Sequence, residues 1–145
     1  MMKSKKPWAT KLRPEQEPKI DSDRRGRMLV PTPMLVAKQL RKVPTGRLVT
    51  PAQLRDRLAR NAGADLCCPM TTGIFLSIIA GATEEALAEG RPAVAPYWRV
   101  VLPNGALPPK FPPGPRVQAK RLRAEGHRIA GGRVVDVAEK LIGRS

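Results

Sequence analysis

Aromatic side chains are so scarce in this chain that the place where they gather limits what its core can be. The stretch Pro96-Tyr97-Trp98-Arg99-Val100-Val101 holds the only Tyr and one of the two Trp in a sequence that is 3% aromatic. Its two β-branched residues predict a strand entering a core. Physics alone leaves two readings open. In one, the ring faces and the cation beside them form a stacking pocket for a flat ligand carrying negative charge. In the other, Tyr97 and Trp98 plug the edge of the core and Arg99 sits in a structural ion pair.

A chain of 145 residues, 41% of them hydrophobic, can build one ordinary core. Its 27 Lys and Arg against 12 Asp and Glu give a formal charge of +15, which calls for a polyanionic partner. Nucleic acid is the usual one, and the charge fits DNA and RNA alike, so an RNA- or ribosome-associated role stays open. No run approaches the ~20 apolar residues of a membrane span, and no signal-peptide pattern opens the chain. No long helix combines a wide apolar face with a basic one, so no membrane partner is expected. The expectation is a cytoplasmic monomer, nucleoid-associated if it binds DNA. Cys67 and Cys68 are adjacent, which disfavours a bridge between them. His127 is the only histidine and no Cys-x-x-Cys occurs, so neither a metal nor a cofactor is expected.

Residues 1–27 mix charge and proline and predict a basic, disordered arm that touches phosphate or merely solubilises, with Trp8 as its one anchor. The folded domain is expected over 28–145. Thr32 before Pro33 and Thr50 before Pro51 repeat one helix-start signature, an N-cap followed by proline at the first helical position. The first helix carries Met34, Leu35, Ala37, Leu40 and Val43 and stops at Pro44-Thr45-Gly46. The second turns Leu54 and Leu58 inward and Arg55, Arg57 and Arg60 outward. After Pro69 a further helix, capped by Thr71 or Thr72, packs through Ile74, Phe75, Ile78 and Ile79.

That helical pair matches a helix-turn-helix, with a phosphate-binding N-terminus on its second member. The acidic segment 83–89 should point away from a nucleic acid. The 96–101 strand, a turn at Pro103-Asn104-Gly105 and a return would make a wing. A basic helix over 117–125 carries Lys120, Arg121 and Arg123. A hairpin around Gly131-Gly132 and a short helix capped by Asp136 close the chain. The fold class is thus mostly α, a winged helix-turn-helix-like domain with a small β wing or hairpin.

The order of Val43-Pro44-Thr45-Gly46-Arg47-Leu48-Val49-Thr50, a helix-turn-helix, Pro96-Tyr97-Trp98-Arg99-Val100-Val101, Asn104-Gly105 and Ala124-Glu125-Gly126-His127-Arg128-Ile129 resembles the DNA-binding domain of the alkylguanine-DNA alkyltransferases. These are the methylated-DNA-protein-cysteine methyltransferases, and the similarity runs over residues 32–130. Their active-site motif is Pro-Cys-His-Arg-Val. Here Tyr97 stands at the alkyl-accepting Cys and Trp98 at the His that activates it. A phenol titrating near pH ~10 and an indole without a basic nitrogen cannot perform that displacement at neutral pH. The family's tyrosine after Val-Ser or Val-Thr falls on Pro51, and its intercalating Arg on Met70, ahead of Thr71-Thr72-Gly73. Methionine can still wedge between bases. Glu125 matches the charge-relay acid, Arg99 the structural arginine and Gly73 the helix glycine, while the stretch from Gly73 to Pro96 is longer than in the family.

The resemblance therefore implies a non-catalytic binder of alkylated or otherwise damaged duplex DNA. Its logic is that of the alkyltransferase-like proteins, which lack the acceptor Cys and flag lesions for excision-repair proteins. It implies a lesion pocket at Pro96, Tyr97, Trp98, Arg99 and Glu125. DNA contacts are expected at Arg47, Thr50, Arg55, Met70, Thr71, Thr72, Gly73, Lys120 and Arg123. The catalytic alternative moves the thiol to Cys67 or Cys68, where a helix N-terminus can lower its pKa. The plainer alternative makes both cysteines small residues of a turn.

Overall fold

A hairpin forms where the sequence predicts an arm. The computed structural model describes residues 7–143. Within them β1 (Lys19–Asp23) pairs antiparallel with β2 (Gly26–Val30), Lys19 opposite Val30 and Asp23 opposite Gly26. The Asp23 carboxylate accepts the Arg25 N–H at 2.8 Å and fixes the turn. Leu29 of β2 is buried, so the expected domain boundary at residue 28 falls inside a strand. Low hydrophobicity averaged over residues 1–27 pointed to disorder, but β1 pairs with adjacent β2, and β2 is anchored by β3 far along the chain. Residues 1–6 of the expected arm lie outside the described residues.

Two short helices follow. In α1 (Pro33–Leu40) Thr32 accepts the Leu35 N–H, and in α2 (Pro51–Ala62) Thr50 and Gln53 form a reciprocal capping box. Gly63, in the left-handed conformation at φ 68°, ends α2. The chain then adds β3 (Leu66–Cys67) parallel to β2 and enters α3 (Pro69–Ala88). The helix-turn-helix pair is therefore α2 and α3, tied to the hairpin by β3.

α3 starts earlier than predicted, with Cys68 at its N-cap position and no side-chain cap. Thr72 turns inward and donates to the Cys68 carbonyl at 2.7 Å instead. Its packing stripe is also shifted: Leu76 and Ile79 are buried, Phe75 and Ile78 half-buried, and Ile74 is 51% exposed. The far half of α3 is buried because a 3-10 turn, Trp8–Lys11, lies on it. Glu85 accepts the Trp8 and Ala9 N–H groups at 2.7 and 3.1 Å. Gly81 makes room for the indole, which occupies the place a Cβ there would take. Gly81→Ala is expected to displace Trp8 and cost about 1–3 kcal/mol as an overpacking change. Loss of amide-exchange protection at Trp8 and Ala9 is the check.

The 96–101 segment is not a strand. Pro96 leads into a 3-10 turn, Tyr97–Arg99, and only Val100 bridges a neighbour, Val49. In a strand, Trp98 and Arg99 would point to opposite faces; here both reach one carboxylate. Beyond it, Leu102 and Ala106 close a tight turn at 2.9 Å, and the chain does not return as a wing strand. α4 (Pro115–Ala124) leads to the small hairpin of β4 (Ile129–Ala130) and β5 (Arg133–Val134), on which that turn leans through an Ala106 to Arg133 bridge. α5 (Val137–Lys140) is the last helix among the described residues; Asp136 precedes it without a capping bond.

Residues 48 and 49 stitch the domain together. Val49 exchanges backbone bonds with Arg99 and Val101, and Leu48 with Lys140 and Ile142. The larger core gathers Leu29, Val36, Leu40, Leu54, Leu76, Ile79, Tyr97 and Val100; the smaller joins Leu48, Val101, Leu122 and Val134. Trp98 packs against both. Among the described residues no helix is long and apolar enough to cross a membrane, and no cluster of His, Cys, Asp and Glu could hold a metal.

Candidate functional site

The Pro96–Val101 stretch is held by two carboxylates. Glu125, at the end of α4, accepts Arg99 Nε at 3.0 Å, Arg99 Nη2 at 2.7 Å and Trp98 Nε1 at 2.9 Å. Arg99 also donates to the Val43 carbonyl at 2.6 Å and to Thr45 Oγ1 at 2.9 Å, locking the turn after α1 to the turn at 97–99. Burial pushes the Glu125 carboxyl up, but the Arg99 and Trp98 bonds outweigh it and leave the group below its ordinary value. Buried Gln118 of α4 completes the frame, donating to the Trp98 and Val100 carbonyls at 3.1 and 2.8 Å.

Glu84, from the acidic segment expected to face away, lies directly behind Tyr97. It accepts the Tyr97 hydroxyl at 2.7 Å and a two-pronged contact from Arg121 at 2.6 and 3.1 Å. Tyr97 is 0% exposed, and burial together with the Glu84 bond pushes its hydroxyl far above its ordinary value. Tyr97 is thus closed off from solvent instead of facing a pocket, and the pair with Arg99 and Glu125 packs as the core plug that the residues alone also allowed. Two aromatic rings competing for scarce apolar space are most economically buried, and each polar tip finds a carboxylate.

The open site lies one layer outward. Phe111 stacks edge-on against Tyr97, with centroids 6.0 Å apart, and its other side borders a groove. That groove, of about 450 Å³, runs between the start of α3 (Met70, Gly73, Ile74) and the loop Pro108–Phe111 with Lys110. Met70 is 74% exposed, so the groove carries an unpartnered apolar lip. Sequence reasoning placed Met70 and Gly73 here but missed the loop. The signal available was Phe111, one of two Phe, set among prolines with a lysine beside it.

No protein-family model and no curated protein matches this chain. Among solved structures, S. pombe Atl1 in complex with damaged DNA containing O6-carboxymethylguanine superposes with a TM-score of 0.54 at 19% identity. The match covers 77% of this chain and 94% of Atl1. The fold is that of an alkyltransferase-like protein. Within the alkyltransferase-like fold, the helix-turn-helix and the 97–99 turn are the parts the sequence resemblance rested on, and the β1–β2 hairpin precedes them.

The expected contact residues separate into two groups. Met70, Gly73, Lys120 and Arg123 are exposed, the first two on the groove and the others on α4. Several others are committed elsewhere. Arg47, though exposed, donates to the Leu141 carbonyl at 2.6 Å, Thr50 caps α2, Thr72 is buried, and Arg55 is half-buried. Thr71 is half-buried beside the Cys68 thiol.

The two thiols differ. Cys67 is buried, touches Thr72 Oγ1 at 3.4 Å, and burial raises its pKa. Burial also acts upward on half-exposed Cys68, but bonds from Thr71 and the Met70 N–H, with the nearby Arg25 charge, carry it below its ordinary value.

His127 is 5% exposed and neither ring nitrogen has a partner among the described residues. Burial lowers its pKa, which the Glu125 charge opposes and the Lys140 and Arg99 charges reinforce. The unfolded chain takes up a proton below about pH 6.5 while the folded one does not, so this contribution is complete above that pH and lost below it. Glu84 and Glu125, whose folded values are also lowered, keep their contributions above about pH 4.3 and lose them as pH falls further. Thermal midpoints measured across this range are expected to fall in two stages, and His127→Leu to remove only the upper one.

Proposed function

We propose that this protein binds duplex DNA and holds a damaged base in the groove between the start of α3 and the Pro108–Phe111 loop, without transferring a group from it. The observation that carries this reading is the exposed Met70 lip beside an open apolar groove, in a fold shared with a protein solved on damaged DNA. Turning a base out of the stack costs a few kcal/mol, and packing it against an aromatic or apolar wall returns about 1–3 kcal/mol. Met70 fills the gap in the duplex, Phe111 and Ile74 receive the base, and Lys110 meets phosphate or a negative adduct. A chain of net charge +15 supplies the attraction to the backbone.

Tyr97 cannot accept an alkyl group, because its hydroxyl is buried and committed to Glu84. A lesion that is bound and not reversed must be removed by other proteins, which makes excision-repair proteins the fitting partners. The lowered pKa of Cys68 favours one catalytic alternative, a thiol acceptor at the start of α3. Mass spectrometry after incubation with alkylguanine DNA decides it: the expected result is no adduct, and a methylated Cys68 would replace the non-catalytic reading.

Binding to duplexes with and without O6-alkylguanine, with structured RNA as competitor, tests the main reading. The alkylated duplex should bind tighter, and Met70→Ala should reduce that preference about tenfold, since ~1.4 kcal/mol is lost with the wedge. Affinity should fall steeply between about 50 and 200 mM salt. Equal binding of both duplexes, or preference for RNA, would overturn it.

A further inference from the structure

A second groove, sharing no lining residue with the first, lies between α1 and α2. It measures about 400 Å³, and Leu35, Leu58 and Ala62 give it an apolar floor with Lys38 and Lys42 on its rim. Gln39 accepts from Asn61 across it at 2.9 Å. A smaller hollow of about 200 Å³ continues it, lined by Gln39, Lys42, Arg57, Arg60 and Asn61. Lysines therefore border the larger hollow and Lys42, Arg57 and Arg60 the smaller, and among the described residues no carboxylate lines either.

Arg57 is held at the hollow by its bond to the Gly143 carbonyl at 3.0 Å. Lys38 and Lys42 make no ion pair among the described residues. Two nearby lysines without counter-ions repel each other, and a partner that neutralises them gains what the folded protein gives up.

We propose that this groove is a docking site for an acidic, amphipathic segment of a partner protein. Charge complementarity and the floor together select that occupant. A phosphate backbone would use the cations but leave the Leu35, Leu58 and Ala62 floor without an apolar partner. A neutral helix would fill the floor and leave the lysines unpaired. A segment with apolar side chains at i and i+4 and carboxylates between them satisfies both, as in helix-in-groove recognition. The proposal stands apart from the DNA reading: the groove leaves the α3 start and the Pro108–Phe111 loop free.

The test uses the full chain and a fluorescein-labelled peptide of about 15 residues, Leu and Phe at helical spacing with Glu and Asp between them, in fluorescence anisotropy. Lys38→Glu/Lys42→Glu is compared with Arg116→Glu/Lys120→Glu, a reversal of equal charge on α4. The expected result is binding that weakens at least about tenfold in the first variant and less than about threefold in the second. A control peptide with every Leu and Phe replaced by Ser should bind at least about tenfold more weakly than the parent. Equal weakening by both variants would show diffuse charge attraction and overturn the proposal, as would equal binding of the Ser peptide. So would a Lys38→Glu/Lys42→Glu variant that loses duplex DNA while keeping the peptide, which would assign the groove to nucleic acid. Peptide binding that survives when lesion preference is absent would sink the DNA reading alone.

Discussion

Arg99→Ala is expected to destabilise the protein by about 3–5 kcal/mol, the range for removing one partner of a buried ion pair. The Arg99 and Glu125 side chains are 11% and 12% exposed, so water screens them little. Truncation strands the Glu125 carboxylate and frees two further acceptors, the Val43 carbonyl and Thr45 Oγ1. Arg99→Lys restores the charge but not the fork, because one ammonium cannot span Glu125, Val43 and Thr45 together. It should therefore recover only part of the loss. In the double variant Arg99→Ala/Glu125→Ala the stranded charge is gone, so the cost should fall below the sum of the single changes. Urea unfolding of the wild type and the four variants, Glu125→Ala among them, measures this. A loss within about 0.5 kcal/mol for Arg99→Ala, typical of an exposed site, would show that the pair is solvated and holds nothing.

Helix starts were legible because their signals are local. Thr32-Pro33 and Thr50-Pro51 each name a cap and a first turn, and both caps form as read. The mostly α, winged helix-turn-helix-like class followed from those starts and from the order of the motifs, and the likeness to Atl1 bears it out. What failed was everything decided by a distant partner. β1 is exposed along its whole length and exists because β2 pairs with it, while β2 is held by β3, some forty positions on. The hairpin itself is local, but no window of sequence around Lys19 reaches the β3 strand that anchors it.

The 97–99 turn failed for a related reason. Two β-branched residues announce a strand, but a carboxylate at position 125 recruits Trp98 and Arg99 to one side and bends the chain. The acidic 83–89 segment was read as surplus charge to be kept from DNA. Instead Glu84 and Glu85 each satisfy buried or docking groups, Tyr97 and Arg121 in one case and the Trp8 turn in the other. The groove was half legible: a helix N-terminus with an unusual Met is a local signal, whereas the loop opposite becomes a wall only after folding.

Restoring the family's acceptor should not restore its chemistry. Tyr97→Cys, alone or with Trp98→His, is expected to give no alkyl transfer and to cost about 3–5 kcal/mol, as when a large buried aromatic is cut back in a core. The ring it removes is wholly buried and supports Phe111 edge-on at 6.0 Å. A thiol at that depth sits behind Phe111, out of reach of a base in the groove, and desolvation holds it in the unreactive protonated form. Tyr97→Phe separates the ring from the hydroxyl. It keeps the support and loses one hydrogen bond to a carboxylate that Arg121 still holds, so about 1–2 kcal/mol and unchanged lesion preference are expected. In Tyr97→Cys, by contrast, the Phe111 wall loses its backing, and preference for alkylated duplex should drop along with stability. Urea unfolding, duplex binding and mass spectrometry on the three variants check each part. An alkyl adduct at position 97 would mean that the wall opens and that the buried plug is one of two states, returning the displacement chemistry to the stretch where the aromatics gather.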